Sequence, residues 1–249
     1  MLKRRGHRER TVASEGDVAG KHSFTELSPR RSHTCGIDES GSAWCWGRNS
    51  TGELGDGTMT PSSVPVEVTG GHSFVSIATS FTRWHSCGVR PDGVALCWGS
   101  GALGDGPGVL GQSVIPVPVV GGFEFTSITA GGSHTCGVTT SGGARCWGTG
   151  FRGNLGHGST NGSPTPAAIL GGHAVTEIQA GTASSCALTT SHEIYCWGNG
   201  LNGRLGNGSL DDRVVPALVA GGHSFTSVAV GERHACGRTA ADRADPPPR

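Results

Sequence analysis

The chain has 249 residues, 44 of them Gly and 13 Pro. That is nearly twice the ~12% that these two residues make up in an average protein, and such punctuation excludes long helices and points to short strands joined by turns. Nineteen Lys plus Arg balance 19 Asp plus Glu, so net charge marks neither a nucleic-acid nor an anionic-membrane partner, and no apolar run approaches the ~18 residues of a membrane span.

Residues 1–17 form a basic, irregular segment with Lys3, Arg4, Arg5, Arg8 and Arg10 against Glu9, read as a solvated tail. The stretch "MLKRRGHRERTVASEG" has no apolar segment behind its basic start and is not an export signal. From Val18 the sequence repeats itself. Phe24, Phe74, Phe125, Val175 and Phe225 fall in one column at spacings of 50, 51, 50 and 50, dividing the chain into units 18–67, 68–118, 119–168, 169–218 and a partial 219–237. Residues 238–249 are an irregular, Pro-rich tail.

In the third unit the pattern predicts strands over 125–130, 134–139 and 144–148, then a glycine-rich loop, then a short extended piece over 167–170. Three or four antiparallel strands per ~50 residues, repeated, is the signature of a β-propeller blade. The second unit departs from the others, with two extra residues near Ser80 to Trp84 and a glycine loop three residues shorter. Such insertions and deletions fall in loops.

Residues 148–153, "GTGFRG", have the G-x-G-x-x-G spacing of a dinucleotide-binding turn. That motif holds a pyrophosphate only where its last glycine opens a helix. Here Gly156, Gly158, Gly162, Pro164 and Pro166 follow, and the first acidic residue is Glu177, so neither the helix nor the ribose-binding carboxylate of the fold is in place. The same spacing recurs in "GNGLNG" at 198–203. It is part of the repeat, and no cofactor is expected.

The third unit's "AGGSHTCGVTTSGGARCWGTGFRGNLGHG" resembles the regulator of chromosome condensation repeat. Its G-x-x-H-T-C, C-W-G and G-x-L-G-x-G elements carry the resemblance over roughly Val18 to Gly237. The resemblance implies an all-β propeller that commonly has seven blades of four strands. Four units and part of a fifth would make an incomplete ring, read as a fragment, a frameshifted chain or a part that self-associates to finish the circle.

Eight of nine cysteines pair ten residues apart: Cys35 with Cys45, Cys87 with Cys97, Cys136 with Cys146, and Cys186 with Cys196. Opposed residues of an antiparallel hairpin have a constant sum, which centres the third hairpin on Ser141 and gives a three-residue turn, Thr140-Ser141-Gly142. A type I turn followed by a left-handed residue wants glycine in its last place. Gly41, Gly93 and Gly142 stand there, whereas the fourth unit has His192 and is expected to be more strained. Directly opposed Cα atoms are close enough for a disulfide, so four bridges are expected, with reduced thiols and zinc as alternatives. Zinc is disfavoured because His33, His85, His134 and His234, each two residues before a cysteine, leave each hairpin one ligand short of a closed site. Cys236 faces Pro246 at the partner position and is expected to be a free thiol. Paired cysteines imply an extracytoplasmic (secreted, periplasmic or cell-surface) location, with the natural start upstream of Met1. Asn49, Asn161 and Asn207 head N-x-S/T sequons within glycine-rich stretches.

The histidines recur in repeat columns, and no nucleophile elbow, phosphate loop or metalloprotease motif is present. No catalytic residue and no metal is expected. Trp46, Trp98, Trp147 and Trp197 are read as packing between blades. The remaining reading is a protein-interaction module whose partner contacts variable loop residues Arg48, Asn49, Phe151, Arg152, Leu201, Asn202 and Arg204. The resemblance supplies one alternative, guanine-nucleotide exchange on a small GTPase. A second is inhibition of a secreted or periplasmic enzyme, since one propeller of similar repeat type inhibits β-lactamases.

Overall fold

A computed structural model describes residues 22–82, 85–101, 103–107 and 111–239; the basic start, most of the Pro-rich tail and part of the second unit's altered loops lie outside them. The described chain is a β-propeller arc. Four antiparallel four-stranded sheets follow one another, each a meander in chain order, and a two-stranded sheet comes last. The first holds β1 (Phe24–Pro29), β2 (His33–Asp38), β3 (Ala43–Gly47) and β4 (Ser62–Glu67). The second holds β5 (Ser76–Thr79), β6 (His85–Val89), β7 (Ala95–Ser100) and β8 (Gln112–Pro118). The third holds β9 (Phe125–Ala130), β10 (His134–Thr139), β11 (Ala144–Gly148) and β12 (Ser163–Ala168). The fourth holds β13 (Val175–Ala180), β14 (Ser184–Thr189), β15 (Ile194–Gly198) and β16 (Arg213–Leu218). The fifth has β17 (Phe225–Val230) and β18 (Ala235–Thr239).

The fourth strand of the third blade starts four residues earlier than its sequence predicts and ends at Ala168. Pro164 and Pro166 suggest a loop, yet among the described residues β12 pairs only with β11, and an edge strand tolerates proline where the missing N–H would face away from the ladder.

Cys35, Cys87, Cys136 and Cys186 lie directly opposite Cys45, Cys97, Cys146 and Cys196. All four pairs are bridged across Cα separations of 4.0–4.1 Å, the short spacing of a non-hydrogen-bonded antiparallel pair. The eight sulfurs are buried between blades, whereas Cys236 is exposed and unbridged. At the hairpin tips Gly41, Gly93 and Gly142 have φ of 86°, 83° and 81°, and His192 is held at 64°. His192 Nδ1 lies 3.1 Å from the Phe225 carbonyl oxygen, a contact that ties the strained tip to the next blade.

The core lies between blades. First strands neighbour one another around the axis, and each tip carbonyl accepts the N–H that opens the next blade: Phe74 to Gly41, Phe125 to Gly93, Val175 to Gly142 and Phe225 to His192. Trp98, Trp147 and Trp197 are fully buried against the glycine loop of the preceding blade.

Candidate functional site

The buried polar residues of the joints look most like chemistry. Between the third and fourth blades, Ser185 Oγ donates to the Asn154 carbonyl oxygen (3.0 Å), His134 Nε2 lies 2.8 Å from Ser185 Oγ, and Asn154 Nδ2 lies 3.0 Å from His134 Nδ1. Serine, histidine and asparagine meet here in hydrogen-bond order, but the protons run the wrong way for nucleophilic catalysis. The serine proton is committed to a carbonyl, so Nε2 carries the imidazole proton and Nδ1 accepts from the amide. Burial, followed by the nearby His85, holds His134 down to about 3, which keeps it neutral. All three side chains are inaccessible, and a general base must reach a substrate.

The other joints repeat the pattern. His33 Nε2 lies 2.8 Å from Ser86 Oγ, which donates to the Glu53 carbonyl oxygen, and His85 Nε2 lies 2.9 Å from Thr135 Oγ1. Trp98 Nε1 and Trp197 Nε1 donate to the Glu53 and Asn154 carbonyls at 2.9 Å. Burial, then His85, lowers His33 to about 4. These residues are blade-to-blade fasteners. Among the described residues no group of three His, Cys, Asp or Glu side chains is placed to hold a metal, and no helix is long and apolar enough to cross a membrane.

The G-x-G-x-x-G segment of the third blade opens a single 3-10 turn, Phe151–Gly153. Its middle glycine is dictated by crowding: a Cβ on Gly150 would sit 1.9 Å from the Asn161 carbonyl oxygen, and one on Gly200 would sit 1.9 Å from that of Asp211. The loop closes on its own backbone, and the spacing serves that closure.

The same loops present exposed side chains. Phe151 and Leu201 crown the 3-10 turns of consecutive blades and are 56% and 52% exposed. The residue after each, Arg152 or Asn202, adopts a left-handed φ of 56° or 62°, a conformation uncommon for residues other than glycine. Arg152 Nη1 pairs with Asp212 Oδ2 at 3.0 Å, and Asp212 Oδ1 accepts the Gly200 N–H, so the two loops are tied together. Arg204 donates to the Leu201 and Glu232 carbonyls. Arg48 is half-exposed and faces the buried carboxylate of Glu53 at 3.6 Å.

Asn49 behaves differently from its neighbours. It is fully buried, its Nδ2 donates to Asp56 Oδ1, Thr58 O and Thr60 O, and its Oδ1 accepts from the Leu54 N–H. Its sequon and its loop setting suggest a surface residue, but the side chain staples the loop from inside and offers nothing to a partner or a glycan.

Beside Phe151 lies an open hollow of about 800 Å³ that spans the second to fourth blades and is lined by Thr82, Asp105, Ser133, Thr149 and Thr182. Thr82 Oγ1 donates to the Gly132 carbonyl, and the Arg30 guanidinium lies over the Phe81 ring at 4.3 Å. Phe81 and Thr82 belong to the second unit's insertion. Sequence reasoning located that insertion without assigning it to the site.

Two models of the regulator of chromosome condensation (RCC1) repeat match the chain, one over residues 40–88, 141–188 and 191–237, the other over 125–154 and 175–204. A search of curated protein sequences finds no match. Among solved structures, human WBSCR16 superposes with a TM-score of 0.78 at 23% identity, over 87% of this chain and 57% of that one. Yeast RCC1 (Prp20), solved bound to Kap60, gives 0.75 at 20% identity over 89% and 55%. The ectodomain of the Physcomitrella patens receptor kinase CR4 gives 0.56 at 25% identity over 88% and 48%. The chain thus spans about half the length of these structures. With its matched repeats covering more than half its length, the chain belongs to the regulator of chromosome condensation (RCC1) repeat family.

Proposed function

We propose that the chain is a non-catalytic protein-interaction module that binds a protein partner through its glycine-loop end. The observation that carries this reading is the paired display of Phe151 and Leu201, two apolar side chains held out of the core at equivalent positions of consecutive blades, with Phe151 lining the hollow. Rigid aromatic and aliphatic anchors next to a concavity are what interface hot spots are made of. The committed geometry of the His-Ser fasteners supports a binding role over a catalytic one.

Four buried disulfides support maturation in an oxidising, extracytoplasmic setting, and the receptor-kinase ectodomain among the structural relatives is consistent with this blade geometry serving there. A structural study of yeast Prp20p concerns its binding to Gsp1p and histones. At 21% identity that likeness speaks for the fold, and exchange on a small GTPase is the second reading.

The test is affinity capture from the oxidising compartment of the source organism, comparing the wild-type chain with a Phe151→Ser, Leu201→Ser variant whose disulfides are verified intact. A partner held by the wild type and released by the variant is expected. Partners that bind both equally would place the interface elsewhere. Stimulated nucleotide release from a small GTPase by both proteins would favour the second reading.

A further inference from the structure

The third blade departs from the other complete blades at several positions that meet in one place. On β3, β7 and β15 the residue before the cysteine is Trp44, Leu96 or Tyr195, and on β11 it is Arg145. Opposite it on the fourth strand stand Glu67, Pro118 and Leu218 in the other blades, and Ala168 here. The connection into each blade carries His22, His72 or His173, and Phe123 here; the hairpin tip carries Ser42, Val94 or Glu193, and Gly143 here.

Two of these changes exchange partners. In the first and fourth blades a histidine of the connection stacks on a ring of the third strand, His22 on Trp44 at 4.1 Å and His173 on Tyr195 at 3.9 Å. In the third blade the ring is Phe123, and the Arg145 guanidinium lies over it at 3.6 Å. Trp44 and Tyr195 fill that place with rings alone, so the stack itself does not call for a permanent charge. The other two changes remove bulk. Beside the guanidinium lies an open hollow of about 560 Å³ lined by Phe123, Gly143, Ala168, Ile169 and Ala174. Because consecutive strands are antiparallel, this hollow sits at the hairpin-tip end of the blade, opposite the glycine loops and apart from the partner surface proposed above.

The charge in the hollow is unmatched. Arg145 Nη1 donates to the Pro166 carbonyl oxygen at 3.3 Å, and among the described residues the guanidinium has no ion pair. Arg90, near the second blade's tip, is by contrast held by Asp92 at 2.7 Å. Glu124 borders the hollow, but its side chain packs toward the preceding tip, where a Cβ on Gly93 would lie 2.8 Å from the Glu124 Cβ. A planar guanidinium fixed by a ring and one carbonyl keeps its remaining N–H groups for a planar, bidentate acceptor.

We propose that this hollow binds a small monocarboxylate with an apolar body, its two oxygens held by Arg145 and its body lying against Ala168, Ile169 and Ala174. One fixed cation matches one negative charge, the small side chains make the room, and the volume is that of a small-molecule site.

The probe is benzoate, with benzamide as its neutral isostere, titrated into the oxidised, isotopically labelled chain and followed by NMR. Benzoate is expected to give saturable shifts centred on the Arg145 Nε–H and the Gly142 and Gly143 amides. Benzamide is expected to bind roughly tenfold more weakly or worse, for want of the charge-assisted contact. In Arg145→Gln, with its bridges verified intact by mass, the preference for benzoate is expected to vanish. Equal shifts from the two ligands, benzoate shifts scattered over the exposed arginines, or a preference that survives in Arg145→Gln would overturn the proposal. The comparison of ligands uses the wild-type chain alone, so it stands even if Arg145→Gln does not fold.

Discussion

His134 on β10 and Ser185 on β14 belong to neighbouring blades, and their side chains meet at 2.8 Å with the proton running from imidazole to hydroxyl. That direction makes the pair a fastener. It also makes the serine hydroxyl indispensable, because without it the buried Nε2–H has no acceptor. Ser185→Ala is expected to cost about 1–3 kcal/mol, the desolvation penalty of an orphaned donor. Ser185→Thr is expected to cost less than ~1 kcal/mol, because Thr135 fills the same place opposite His85. Urea midpoints of the two variants under non-reducing conditions check the contrast, and equal losses would contradict it.

Neutral buried histidines make stability depend on pH. Folded His33 and His134 titrate near 4 and 3, against an ordinary value of 6.5. Between these limits the unfolded chain takes up protons that the folded chain refuses, so stability is complete above about pH 6.5 and is lost as pH falls. With two such groups the slope is expected to approach ~3 kcal/mol per pH unit between roughly pH 5.5 and 4. Urea melts from pH 7.5 to 4.5 give the curve, and a flat profile would mean that neither imidazole is protected.

The interblade tryptophans carry unequal weight. Trp197 is fully buried and donates to the Asn154 carbonyl, whereas Trp46 on the first blade is half-buried with Phe24 as its aromatic neighbour. Trp197→Ala is expected to cost ~3–5 kcal/mol and Trp46→Ala only about 1 kcal/mol. Similar denaturation midpoints for the two variants would contradict the stacked-blade energetics.

Two glycines separate crowding from backbone strain. Gly150 has an ordinary φ of −86° but no room for a Cβ, whereas Gly142 has open space around it and a φ of 81°. Gly150→Ala is expected to cost ~3 kcal/mol or more through steric displacement of the loop, and Gly142→Ala about 1–2 kcal/mol from the left-handed backbone. Thermal melts should place them in that order.

Much of the blade was legible in the sequence because its information is local. The ten-residue cysteine spacing fixes the register, the register fixes the turn, and the turn explains both Gly142 and the strain at His192. What was not legible is carried by contacts about fifty residues apart, such as His33 with Ser86, which no local pattern encodes. Asn49 shows the cost of that limit: a polar residue in a glycine loop reads as surface, and only the folded loop reveals the hydrogen bonds made by its buried amide. The prolines of β12 mislead for a related reason, since an edge position is a property of the sheet and not of the strand's own sequence.

The most direct test of a bridged ladder of blades formed in an oxidising compartment is intact mass after alkylation in denaturant without reductant, on protein recovered from its natural setting. One alkylated cysteine of nine, mapped to Cys236 with the four ten-residue pairs intact, is the predicted result. Nine alkylated cysteines would contradict it and move the search for a partner to a reducing compartment.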